Sequence, residues 1–170
     1  MTKSAIAAAA LLAACNTMPP AVLPPPFGPD GPRAPRLFFP TGLAATPGGT
    51  LLIANGNFNH QYDSGTVLSL PRTFLDPLIK PPTGPQLDCD IPDSDPRFAG
   101  CLVPIPANAE AVLIGSYAGP LALSDDGTIA LTGSRDSGNL NAVQLDAGGL
   151  LHCLPGTGND ATKDCRRGLH

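Results

Sequence analysis

The chain has 170 residues, of which 21 are proline and 19 glycine, about twice the share that average usage gives, which excludes a mainly helical protein. Only 14% of residues are charged, yet Leu, Ile, Val and Phe together supply 41 positions, enough apolar side chains for part of the chain to fold. The formal charge is −4 with just ten Lys and Arg, so the clustered cations that neutralise phosphates are missing and nucleic acid is excluded as a partner.

Met1 to Ser4 carries one charge, Lys3, and is followed by an apolar run from Ala5 to Ala14 that stops at Cys15. A membrane-spanning helix needs roughly 20 apolar residues, so the run has the length of a signal-peptide core instead. Its end, Leu12-Ala13-Ala14-Cys15, resembles the bacterial lipobox. That resemblance implies a lipoprotein signal peptide over 1–14 and lipidation of Cys15, which becomes the first residue of the mature chain. The partner is then a lipid bilayer, since two or three acyl chains anchor stably where one binds only marginally. Asn16 follows the cysteine where an Asp would, in the enterobacterial pattern, direct retention at the inner membrane. The outer membrane is therefore the expected location within the bacterial cell envelope. An ordinary secretory peptide with a chance cysteine is the alternative.

Residues 15–36 form the next unit. Eight prolines fall between Asn16 and Arg36, and each fixes φ and removes a donor, which predicts a disordered, extended tether of about 60 Å at full length. Its task would be to hold a domain away from the membrane.

From residue 37 to 170 the pattern changes to short apolar segments punctuated by Gly, Asn and Asp. Two stretches read alike: Gly42 to Ala54 aligns with Gly119 to Thr132, placing Leu43 on Leu121 and Gly49 on Gly127. Each predicts a strand, a turn ending in Gly and a second strand, followed by a polar Gly/Asn segment and a third strand, at Gly65–Leu70 and at Asn141–Asp146. Asp126-Gly127 and Gly48-Gly49 suit a two-residue hairpin turn with positive φ at both central positions. No helical period separates the strands. This is the pattern of antiparallel β-propeller blades. The wording also resembles YVTN/NHL-type propeller repeats, and Asn55 to Val67 looks like the corresponding stretch of lipoproteins from Gram-negative soil bacteria. The resemblance implies an all-β fold, a partial propeller of two to three antiparallel blades. Closure takes about four to eight blades, so the expectation is an incomplete propeller, an N-terminal fragment of a longer one. An assembly of several copies and an open pair of sheets are the other possibilities.

Cys89 and Cys101 have the same spacing as Cys153 and Cys165. In an oxidising compartment this even set predicts disulfides within each pair, each contributing roughly 3 kcal/mol, with the other two connectivities open. His152 and His170 lie near Cys153 and Cys165, but no C-x-x-C occurs and no metal site is expected. Asp88, Asp90, Asp93 and Asp95 lack the glycine and the bidentate Glu of a calcium loop and read as a solvated acidic loop.

Asn57, Asn59, His60 and Asp63 form a polar loop that could reach one mouth of a propeller and bind a ligand, although Asn and Asp also make turns with their own backbone. Gly115-Ser116-Tyr117-Ala118-Gly119 has its serine out of place for a nucleophile elbow, and no phosphate, dinucleotide or zinc-protease motif occurs. No catalytic residue and no cofactor are therefore assigned. The leading expectation is a membrane-anchored envelope lipoprotein that presents a binding or scaffolding surface to an envelope protein or small ligand. The alternative is the N-terminal part of a propeller enzyme, of lactonase or quinoprotein type, whose active site lies on further blades. A purely structural envelope protein is a third.

Overall fold

A computed structural model describes residues 22–27, 35–79, 105–106 and 109–169. The expected signal peptide, Cys15, Cys89, Cys101 and the acidic loop around Asp90 lie outside these residues. Eight strands form two four-stranded antiparallel sheets, each a simple meander. The first contains β1 (Pro40–Ala45), β2 (Leu51–Asn55), β3 (Gly65–Leu70) and β4 (Glu110–Ile114). The second contains β5 (Ala122–Leu123), β6 (Ile129–Ser134), β7 (Asn139–Leu145) and β8 (Leu151–Cys153).

Strand alternation sorts the side chains into faces. Leu52, Ala54, Val67, Val112 and Ile114 of the first sheet meet Ala130, Val143, Leu145 and Leu151 of the second in one buried cluster. The sheets are stacked like edge on like edge. A Cβ on Gly42 of β1 would lie 2.7 Å from the backbone N of Leu121, just before β5, and one on Gly127 would lie 2.4 Å from Pro47 Cδ. On the far side, Leu113 of β4 exchanges backbone hydrogen bonds with Lys163 and Cys165, which follow β8. β1 thus lies beside the chain leading into β5, β4 lies beside β8 and the segment that follows it, and equivalent turns share one end.

Three hairpin turns at that end share one conformation. In 46–50, 124–128 and 146–150, the amides of Gly49, Gly127 and Gly149 donate to the carbonyls of Thr46, Ser124 and Asp146. These glycines have φ of 83°, 71° and 86°, whereas Gly48, Asp126 and Gly148 are not in the left-handed region. The expected two-residue turn with two positive φ values is thus corrected. One left-handed glycine after an ordinary turn suffices, because the extra residue is absorbed as a bulge. The alignment of the two repeats is also corrected at its start. Ala45 pairs with Leu51, but Leu123 pairs with Ala130, one residue further on. That slip reverses the facing of the first strand: Leu43 is 65% exposed while Leu121 packs on the core.

The connection from β3 to β4 runs from 71 to 109 and opens with a helix, α1 (Arg72–Ile79), contrary to the expectation that no helix intervenes. Phe74 and Leu75 of α1, with Ile105 and Phe27, cover the outer face of the first sheet at Ile53, Leu68, Leu70 and Ala111. Residues 22–27 belong to the expected tether, yet they are docked. Pro24 and Pro25 are buried, and the Val22 carbonyl accepts from the Asp63 amide at 2.9 Å. This stretch is packed because Phe27 offers an aromatic side chain to an otherwise open apolar face.

Two buried asparagines hold the chain as it approaches each sheet. Asn55 accepts from the Phe38 amide and donates to the Arg36 carbonyl and Thr66 Oγ1. Asn141 accepts from the Gly115 amide and donates to Ser134 Oγ. Each faces a threonine across the strand pair, Thr66 opposite Asn55 and Thr132 opposite Asn141, with the strands exchanged.

Candidate functional site

The end of the molecule opposite the tight turns gathers the loops 56–64, 115–121 and 135–138 and the segment after β8. Local backbone chemistry sets its shape. Phe39, Asn57, His60 and Tyr117 have φ between 50° and 52°, so four of the five non-glycine residues in the left-handed region among those described lie here. Such conformations cost of order 1–3 kcal/mol each and persist only where neighbours enforce them. The enforcing contacts are visible: the Tyr117 amide donates to the Gly56 carbonyl at 2.6 Å, and the Gly56 amide donates to the Phe39 carbonyl at 2.9 Å.

The four polar-loop residues divide into two kinds. Asn57 is fully buried, donating to the Tyr62 carbonyl at 2.6 Å and to Ser116 Oγ at 3.0 Å while accepting from the Tyr62 amide. It welds the loop of the first sheet to the chain leading into the second and offers nothing to a ligand. Asn59 accepts from the Gln61 amide, a turn built on its own backbone. Asp63 accepts from Arg166 at 3.3 Å and from Ser64 Oγ at 3.1 Å. Asn59 and His60 are both exposed, and His60 is hydrogen-bonded to the Tyr117 hydroxyl and edge-on to its ring, with centroids 4.8 Å apart.

Around His60 the surface is aromatic. Phe58, 40% exposed, packs edge-on to Tyr117 at 5.1 Å, and Phe39 is 48% exposed. Beside it, Arg166 forks onto both oxygens of Asp164 at 2.9 and 2.7 Å and reaches Asp63. The guanidinium holds the Asp164 carboxyl below its ordinary range, and Asp164 in turn raises Arg166. A shallow cleft of about 360 Å³ is lined by Asn159, Thr162, Asp164, Arg166 and Arg167. Phe58 and Tyr117, which pack on each other, and the contact of Arg166 with Asp63 are not visible in the sequence because the partners are remote in the chain; for Tyr117 the only local hint is its place in a Gly-flanked segment.

The arrangement suits binding. Ser116 is 2% exposed and its Oγ is occupied by Asn57, so it has no access to a substrate. Among the described residues, no group of three His, Cys, Asp or Glu side chains is placed to hold a metal. Cys153 and Cys165 are at disulfide-bonding distance, Cα atoms 5.0 Å apart. Cys153 ends β8, whereas Cys89 and Cys101 lie outside the described residues. His152 instead sits between two carboxylates, 2.9 Å from Asp160 and 3.5 Å from Asp146, and the Asp160 hydrogen bond raises its pKa. At the opposite end, a cleft of about 280 Å³ lies between the three tight turns. Its Asp126 is held down to about 2 by the Ser124 and Thr128 hydroxyls and the Thr128 amide.

Comparison with protein-family models, with curated proteins and with solved structures finds no match to this chain.

Proposed function

We propose that this protein is a bacterial envelope lipoprotein, anchored through Cys15, whose two stacked sheets are successive blades of a β-propeller-like array. Its loop end, with His60, Phe58, Tyr117 and Phe39 at the surface, presents a binding or scaffolding patch to an envelope protein or small ligand. The observation that carries the reading is the stacking of two four-stranded meanders of the same topology, which brings the loops 56–64, 115–121 and 135–138 together at one end. The lipobox-like end of the apolar run supports the anchor, and the outer membrane follows from Asn16.

Metabolic labelling with radioactive palmitate tests the anchor. Label should enter the wild-type chain and be absent from Cys15→Ser; equal labelling, or none in either, overturns it. A photo-crosslinking amino acid at Phe58, compared with one at Asp125 on the turn end, tests the surface. A discrete adduct from position 58 alone is expected, and adducts of equal yield from both positions remove the assignment.

A second reading, in which these are the first blades of a lactonase- or quinoprotein-type enzyme, is favoured by the partly exposed Leu140 and Leu150 of the second sheet, which a further blade would cover. Bound quinone or metal in protein purified from its native cells would support it.

A further inference from the structure

The proline-rich stretch meets the folded domain earlier than its composition predicts. Residues 22–27 are docked, with Phe27 on the outer face of the first sheet and the Val22 carbonyl accepting from the Asp63 amide in the loop 56–64. The chain therefore joins the domain at its loop end. Only residues 16–21 lie between Cys15 and that point, at most about 25 Å of extended chain, against the roughly 60 Å of the whole proline stretch. The six residues of β3 alone span about 20 Å, so resting the tight turns on a bilayer would use up nearly all of that reach. An anchor at Cys15 sets the loop end against the membrane.

What this end exposes fits a lipid surface. Val22, Leu37, Phe39 and Phe58 are 49%, 48%, 48% and 40% exposed, and Leu140, bridged to Leu169 at the start of β7, adds an exposed pair. Among the described residues, Leu150 is the one exposed large hydrophobic side chain at the tight turns. The loop-end group is spread over segments of both sheets, an arrangement that suits a planar apolar partner better than a peptide or a small molecule. Charge divides the same way. Arg36, Arg135 and Arg167 are exposed at the loop end, where Arg166 holds Asp63 and Asp164 and the Ser116 and Ser137 amides donate to Asp136. Asp125, Asp126 and Asp146 are exposed at the tight turns. Aromatic and aliphatic side chains flanked by arginines bind the interface of a bilayer that contains anionic lipid. We propose, resting on the Cys15 anchor, that the loop end seats on the bilayer holding that anchor, with Val22, Leu37, Phe39 and Phe58 in the boundary between headgroups and acyl chains and the tight turns pointing away. The partner of the loop-end patch is then the lipid interface itself.

The chain contains no tryptophan, so a single introduced one reports its own surroundings. Phe58→Trp, Leu37→Trp and Asp125→Trp, each in the lipidated full chain, are reconstituted on vesicles of phosphatidylethanolamine and phosphatidylglycerol in which part of the lipid carries bromine on its upper acyl carbons. Phe58→Trp and Leu37→Trp should give blue-shifted emission quenched about twofold or more by the brominated lipid, while Asp125→Trp, at the tight turns, should be unaffected. Leu37→Trp keeps the test decisive if Phe58→Trp disturbs the contact with Tyr117. Flotation of the same vesicles reports the anchor separately. A chain that floats with all three emissions unquenched overturns the proposal alone and leaves the patch to a protein or a soluble ligand. Equal quenching in all three variants overturns it too, because the domain then has no fixed face toward the membrane. A chain that does not float overturns the anchor, and the proposal with it.

Discussion

The two sheets share one topology and one turn type, yet they are stabilised differently. In the first, every residue of β3 and all but the first of β2 and β4 are buried, because the long β3–β4 connection and residues 22–27 cover the outer face. In the second the same connection is the five-residue turn 146–150, and Leu140 and Gln144 of β7 are exposed while Ala142 between them is buried. The difference teaches that the insertion works as a lid for one sheet. A meander buried on both faces can be apolar throughout, while the partly covered outer face of the second sheet mixes exposed leucines with Gln144 and His152.

Truncation should expose that difference most strongly. Leu68→Ala, in the capped sheet, should cost about 2–5 kcal/mol by urea denaturation, whereas Leu140→Ala on the outer face of the second sheet should stay within about 0.5 kcal/mol. Equal losses would mean that the two outer faces are covered alike.

The clip between the sheets comes next. Residues 163–165 pair with β4, Cys165 lies against Cys153 of β8, and Leu169 pairs with β7, so one segment holds both sheets. Replacing both Cys153 and Cys165 by Ser should remove roughly 3 kcal/mol. Thermal unfolding that does not change would show that the clip is held without the sulfurs.

Asn55→Ala and Asn141→Ala probe the approach to each sheet and should each cost about 1–3 kcal/mol, since the partner amides are left buried and unpaired. A loss at one position only would break the parallel between the two sheets.

The matched turns offer a finer contrast. Gly149→Ala meets no neighbour and should cost about 1 kcal/mol for its positive φ alone, while Gly127→Ala also collides with Pro47 and should cost more. Chemical denaturation of the two variants decides the order.

Smallest is the pH effect of His152, which occurs only in the second sheet. Its folded pKa is raised, first by the Asp160 hydrogen bond, so its stabilising contribution is complete below the ordinary histidine pKa near 6.5 and disappears as pH rises through the folded value. His152→Phe should flatten the decline in stability above that point. An unchanged slope would place the titration elsewhere.

Much of the strand pattern was legible because alternation and turn residues are local. Gly65–Leu70 was read with its observed bounds, and Gly49 and Gly127 mark turns because only glycine takes the left-handed position without strain. The facing of β1 was not legible, since a one-residue change in a turn reverses it without altering composition. Nor was α1, which lies in a proline-rich stretch. At the loop end, His60 was visible as a polar residue in a Gly/Asn segment. Its aromatic neighbours were not, because Tyr117 is placed by the Gly56 carbonyl and Asn57 by Ser116, contacts between segments far apart in the chain.

The sequence by itself determined that this protein is built from strands and tight turns, because proline and glycine at this density leave few long helices possible and apolar alternation marks the remainder. Tertiary structure decided which faces those strands bury. It set the sheets like edge on like edge, closed one outer face with a helix and a proline-rich segment, and left Leu140 and Leu150 of the other sheet exposed, since burial is a property of what packs on a strand and not of the strand's own residues.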